Sequence, residues 1–91
     1  MTPNRVDIVA IGEPLFELNQ PKGEAIFRQG FGGDTSNCAV AAARQGASVA
    51  YVTAVGADQF GDSFMTLWGE EGIDTSAVKR SPIAHTGLYF I

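Results

Sequence analysis

At 91 residues the chain holds at most one small domain, able to bury a core but only a thin one. Its apolar fraction of 45% and charged fraction of 18% are those of a soluble globular protein, not of a disordered or membrane one. A formal net charge of −4 with no Lys/Arg cluster excludes a nucleic-acid surface, which needs a basic patch to recruit phosphates. No apolar run is long enough to span a membrane and no basic-then-apolar leader opens the chain, so neither membrane nor secretion is indicated and a cytoplasmic location is expected.

In chain order, Val6–Ile11 is a nearly continuous apolar run ending at Gly12, which predicts a strand buried on both faces of a parallel sheet. Residues 13–29 are too long for an ordinary βα loop of about 2–6 residues. Leu15, Phe16 and Leu18 form one apolar run, residues 19–23 read as a turn, and Glu24–Gln29 forms a second strand-like run. A hairpin outside the main sheet, a candidate lid, is expected there.

The stretch from Gly30 to Gly46, GFGGDTSNCAVAAARQG, organises the rest. Gly30, Gly32 and Gly33 permit positive φ and close backbone approach, and Asp34, Thr35 and Ser36 are all good N-cap residues. The alanine-rich run then propagates a helix from about Thr35 to Gln45, closed by Gly46 as an αL residue. Asn37 falls on its first turn. A backbone corner, a helix N-terminus, an acid and an amide make a pocket floor suited to polyhydroxylated or anionic small molecules. The same residues also read as a strand-to-helix connection whose small side chains serve tight packing alone. A dinucleotide fingerprint is excluded, because Thr35 stands where its last glycine belongs and the motif does not follow the first strand. Cys38, the single cysteine, has no internal disulfide partner and is expected as a small buried hydrophobe of this helix.

Ala47–Val55 is a second run apolar on both faces, and the helix between the two runs implies a right-handed crossover with parallel strands. Gly56–Ser63 has the glycine spacing of a phosphate loop, but Asp62 stands where the lysine is required and would repel a triphosphate. Asp58 reads instead as the N-cap of a second helix that buries Phe60, Phe64, Leu67 and Trp68, with Gly72 and Ile73 closing it. The last segment predicts a short extended piece at 77–79, a turn near Pro82 and a strand over 86–91. His85 has no nucleophile or carboxylate at a diagnostic spacing and is expected as a surface or strand-end residue. An apolar run that stops inside a strand leaves an unpaired edge, so the chain reads as a piece of a longer protein.

Gly12-Glu13-Pro14-Leu15, the GGDTSN corner at 32–37, the helix to Gly46 and the Val55–Gly61 stretch occur in the order seen in ribokinase-like (PfkB) carbohydrate kinases, which this chain resembles over nearly its whole length. With Thr86-Gly87-Leu88-Tyr89 it is most similar to the 2-keto-3-deoxygluconate kinases of that family. The resemblance implies an α/β fold: a parallel sheet flanked by helices with a small β lid. Residues 1–91 would be the N-terminal part of a single domain, with lid elements at about 13–31 and 85–91. It implies transfer of the γ-phosphoryl group of ATP, with Mg, to a hydroxyl of a sugar or sugar acid, and a homodimer formed through the lid.

Gly33, Asp34 and Asn37 match the family's sugar-binding corner, Glu17 falls where many relatives place an acidic sugar contact, and Tyr89 matches an aromatic lid position. Tyr89 reads equally well as a half-buried strand residue. The family's Gly-Ala-Gly-Asp segment, with its oxyanion-hole N–H groups and aspartate base, lies far toward the C-terminus in relatives, as does the ATP site. This chain alone is therefore expected to carry the sugar side and to be inactive. Arg5, Arg28, Arg44 and Arg80 do not adjoin the corner in sequence, so the cationic partners of a sugar carboxylate are expected beyond Ile91. The alternatives are ribokinase or fructokinase specificity, or a non-catalytic sugar-binding or assembly module.

Overall fold

The structure is a computed structural model and describes residues 5–91. Its elements run β1 (Ile8–Ile11), β2 (Leu15–Asn19), β3 (Arg28–Gly32), α1 (Asp34–Arg44), β4 (Val49–Val52), β5 (Ala54–Gly56), α2 (Gln59–Glu70), β6 (Lys79–Ser81) and β7 (Leu88–Phe90). β1 and β4 pair in parallel, Ile8 beside Val49 through Ile11 beside Val52, as a helical crossover requires. β5 and β6 make a second parallel pair, while β3, β2 and β7, in that order, form a separate three-stranded sheet. The class is α/β, as expected.

Several boundaries differ from expectation, each for a packing reason. The hairpin's second strand is Arg28–Gly32, not Glu24–Gln29. Its register sets Phe31 opposite Phe16, and the two rings meet edge to face at 5.6 Å over the core, whereas Phe27 meets Phe90, itself exposed, and both Ile26 and Phe27 stay about half exposed. The run 47–55 divides at Thr53, where the chain passes from pairing with β1 to pairing with β6. β1 is not buried on both faces. The face bearing Ala10 packs on the core, but Val9 and Ile11 are 55% and 70% exposed because, among the described residues, nothing lies over the other face. Cys38 is exposed rather than buried, since α1 turns Ser36 and Ala39 inward and Cys38 away from them.

The core is aromatic and continuous. Phe16 of β2 meets Phe60 at 4.8 Å and Phe64 at 5.9 Å; Phe64 stacks on Trp68 at 5.1 Å, and Trp68 meets Tyr51 of β4 edge on at 4.8 Å. The small sheet is thereby packed through α2 onto the parallel strands. Both helices end in the same way. Gly46 and Gly72 adopt positive φ, and the next residue donates back across the last turn, Ala47 to the Ala42 carbonyl and Ile73 to that of Trp68.

Asp58 caps α2 as expected, accepting from the Gly61 N–H at 2.7 Å. Its carboxylate also accepts from the Thr86 N–H at 3.0 Å and the Thr86 hydroxyl at 2.7 Å, and that hydroxyl accepts in turn from the Gly56 N–H at 2.9 Å. Burial works to raise the Asp58 carboxyl, but these donors, with a smaller contribution from His85, hold it at about 2 against an ordinary 3.8. A carboxyl depressed by folding stabilises fully above its unfolded pKa and loses that contribution as pH falls through its folded one. Asp58→Ala is thus expected to lower the unfolding free energy at neutral pH by about 0.5–2 kcal/mol for the cap alone. Urea titrations should find variant and parent converging as pH falls from about 4 to about 2. A gap that persists at the acid end would assign the loss to packing instead.

Candidate binding site

Between the small sheet and the start of α1 lies a cavity of about 530 Å³, lined by Glu13, Leu15, Glu17, Gly33, Asp34, Thr35, Asn37 and Tyr89. Every residue singled out in the sequence as a site candidate, Gly33, Asp34, Asn37, Glu17 and Tyr89, is in this lining. They arrive from separate elements: Glu17 from β2, Gly33 from the corner, Asp34 and Asn37 from the first turn of α1, and Tyr89 from β7.

The glycines divide the work differently from the sequence expectation. Only Gly33 of the three has positive φ, with φ 93 and ψ 126, and it occupies the N-cap position of α1 with no side-chain cap. A Cβ there would stand 2.8 Å from the Glu13 carbonyl, the Leu15 nitrogen and the Pro14 Cα, so the corner is pressed against the start of β2. Gly30 and Gly32 are strand residues. A Cβ on Gly32 would lie 2.6 Å from a Glu17 carboxylate oxygen, and one on Gly30 3.2 Å from the other. Their missing side chains are the seat of Glu17. Along the same row Glu17 pairs with Gly30 on one side and Tyr89 on the other, so acid and phenol stand side by side facing the cavity.

Thr35 and Ser36, both able to cap, use their hydroxyls inward. Thr35 Oγ1 lies 2.6 Å from the Tyr51 hydroxyl, and the Trp68 indole N–H donates to Ser36 Oγ at 3.0 Å. Burial pushes the Tyr51 phenol above its ordinary pKa, the Thr35 hydrogen bond acting against it, so it stays neutral at physiological pH. The first turn is held from beneath. Its upper side leaves Asp34 and Asn37 exposed at a helix N-terminus, where the partial positive charge favours acidic groups and bound oxygen ligands. Tyr89, on β7 and 53% exposed, is at once a half-buried strand residue and part of the open cavity lining.

Glu13, Leu15 and Thr35 line the cavity but do not stand out in sequence as site residues. Gly12 was the available signal: a Cβ there would strike Thr35, so the end of β1 presses on α1 and the residues just after it reach the cavity wall. None of the arginines lines it. Arg44 is engaged bidentately by Glu71 at 3.0 and 2.7 Å, and Arg80 holds the Gly56 carbonyl at 3.1 Å and Asp62 at 2.6 Å. Arg28 borders a different cavity beyond Glu17, with Asn19 and Gln29. The acid that breaks the phosphate-loop pattern, Asp62, is thus an ion-pair partner. Among the described residues no cluster of His, Cys, Asp or Glu is arranged to hold a metal, and no helix is long and apolar enough to cross a membrane.

Parallel strands with packed helices, and a small sheet facing a glycine-cornered helix start, define a ribokinase-like α/β fold. The solved structures agree: fructokinase from Xylella fastidiosa superimposes with a TM-score of 0.85 at 39% identity, over 91% of this chain and 27% of that one. Fructokinase from Halothermothrix orenii gives 0.88 at 26%, over 93% and 33%. Residues 6–91 match the pfkB family carbohydrate kinase profile, and the chain belongs to that family. Among curated proteins it is 45% identical over 89 residues to 2-dehydro-3-deoxygluconokinase of Dickeya dadantii, and 35% over 91 residues to that of Thermoproteus tenax. These alignments cover 93% and 94% of the chain; it spans 28% of the length of each of these relatives.

Proposed function

We propose that this chain is the sugar-binding portion of an ATP-dependent kinase that phosphorylates a hydroxyl of 2-keto-3-deoxygluconate. The observation that carries the reading is the convergence of Gly33, Asp34, Asn37, Glu17 and Tyr89 on one cavity. The names of the curated relatives support the sugar acid, and the Xylella fructokinase, solved with bound ATP, supports the nucleotide.

The chemistry of the lining fits a polyol. Glu17 and Asp34 accept from hydroxyls, the Asn37 amide both donates and accepts, and Tyr89 offers a ring face to the carbon chain and an O–H to an oxygen. Phosphoryl transfer depends on positioning and charge stabilisation more than on covalent chemistry. These residues fix which hydroxyl is presented. This reading assigns ATP and Mg chiefly to parts of the protein beyond these residues, as the resemblance to carbohydrate kinases implies. With Glu13, Glu17 and Asp34 around it and no cation in its lining, the cavity directs a substrate carboxylate away from the corner, toward groups supplied elsewhere. The exposed side chains of Phe27, Leu88 and Phe90 at the small sheet, with Phe27 and Phe90 in edge-to-face contact, support dimerisation through that sheet.

A second reading, a neutral ketose as substrate, is favoured by that same acidic lining and by the fructokinase structures. A substrate screen of the complete protein separates them. 2-Keto-3-deoxygluconate should exceed fructose and ribose by about tenfold or more in kcat/KM, equivalent to about 1.4 kcal/mol of transition-state binding. Higher kcat/KM for fructose or ribose would move the assignment to the neutral-sugar reading; turnover of none would end the kinase reading.

A further inference from the structure

We propose that Asp58 and Thr86 form a pin that fixes where the chain enters β7, and thereby where Tyr89 stands over the cavity; both are positioning residues, and the proposal rests on reading that cavity as the sugar site. Outside its pairing, β7 is held by Phe90, which meets Phe27 edge to face at 5.5 Å, both rings about half exposed. It is 3 residues long, all of them exposed, and it pairs with β2 alone. Two residues before it begins, Thr86 is 3% exposed, donating its N–H and hydroxyl to Asp58 and accepting from the Gly56 N–H.

The space around this point is closed. A Cβ on Gly56 would collide with Asp58 and stand 2.7 Å from the Thr86 nitrogen, and one on Gly61 would stand 3.1 Å from the Thr86 hydroxyl. From Thr86 the chain follows the cavity wall. A Cβ on Gly87 would be 2.9 Å from the Glu13 carboxylate, the Gly87 carbonyl accepts from the Phe16 N–H at 2.8 Å, and Tyr89 then pairs with Glu17. A short strand with one neighbour defines its register weakly. The buried anchor at its entrance, joined to the N-terminus of α2, supplies the definition.

The test uses Thr86→Val, which keeps the shape and removes the hydroxyl, with Thr86→Ser as the rescue, both in the complete protein. Thr86→Val should raise the KM for 2-keto-3-deoxygluconate about tenfold while kcat and the KM for ATP stay within about twofold, and Thr86→Ser should restore the parent value. Hydrogen exchange supplies a readout independent of substrate. The Phe16 and Ile91 amides, which bond to Gly87 and Leu18, should exchange about tenfold faster in Thr86→Val, and the Tyr51 amide, which bonds to Asp74, at the parent rate.

A shift in KM without the β2–β7 amides, in the amides without KM, or in every amide equally overturns the proposal. If Thr86→Val does not fold, Asp58→Asn is read by the same measurements, since in either orientation its NH2 group meets a backbone N–H, that of Thr86 or that of Gly61; failure of both to fold reduces the pair to a structural role and also overturns it. If the parent protein phosphorylates none of the sugars tested, the substrate reading fails separately, and hydrogen exchange still decides whether the pin holds the strand.

Discussion

Gly33→Ala is expected to abolish measurable sugar binding and to destabilise the protein by about 2–6 kcal/mol, combining backbone strain with overpacking. At φ 93 and ψ 126 the backbone is in a region that L side chains rarely enter, and the new methyl would stand 2.8 Å from three main-chain atoms, none of which can rotate away. Relief requires the corner to move off the start of β2. That displaces the N-terminus of α1, and Asp34 and Asn37 with it, from the wall carrying Glu13 and Glu17. Calorimetric titration with the sugar and urea unfolding of the complete protein measure the two effects. Parent-like affinity in a folded variant would remove the corner from the binding site.

Trp68→Ala should lower stability by about 3–5 kcal/mol, as for other buried aromatic truncations. Trp68 is fully buried, stacks on Phe64 at 5.1 Å, meets Tyr51 at 4.8 Å and donates to Ser36 at 3.0 Å. Its removal opens a void between α1, α2 and β4 and leaves the buried Ser36 hydroxyl without its donor. Trp68→Phe keeps most of the packing and should cost less, with much of its penalty coming from the lost hydrogen bond. Urea midpoints for the two variants separate these contributions. A loss below about 1 kcal/mol for the alanine variant would show that the site collapses around the deletion.

What could be read from the sequence was mostly local. Asp58 announces α2 because a cap acts within one turn, and Gly46 and Gly72 announce helix ends because positive φ is a property of a single residue. The parallel pairing of β1 with β4 follows from a helix lying between two apolar runs. The features that escaped depend on what lies across a gap. β3 begins at Arg28 because Phe31 must oppose Phe16, a choice invisible within the segment itself. Cys38 is exposed because Ser36, bonded to Trp68, sets which side of α1 faces inward. Asp58 reads as a cap, but its hold on Thr86 spans 28 positions and has no local signature. The corner, with Asp34 and Asn37, stands out because glycines adjoin a helix start, whereas Glu13 and Leu15 become cavity wall only when β1 is folded against α1.

Glu17 and the glycines of β3 behave as one heritable unit split between two places in the chain. A lineage that keeps the long acid and adds bulk at Gly32 must turn the Glu17 carboxylate out of the space it fills. A lineage that shortens Glu17 first avoids that displacement. It can then place a branched residue in β3, gaining strand propensity. The reverse order passes through an intermediate in which the carboxylate is displaced. Bulk in β3 is therefore gained without disturbing the cavity wall only where the acid gives way before the glycine.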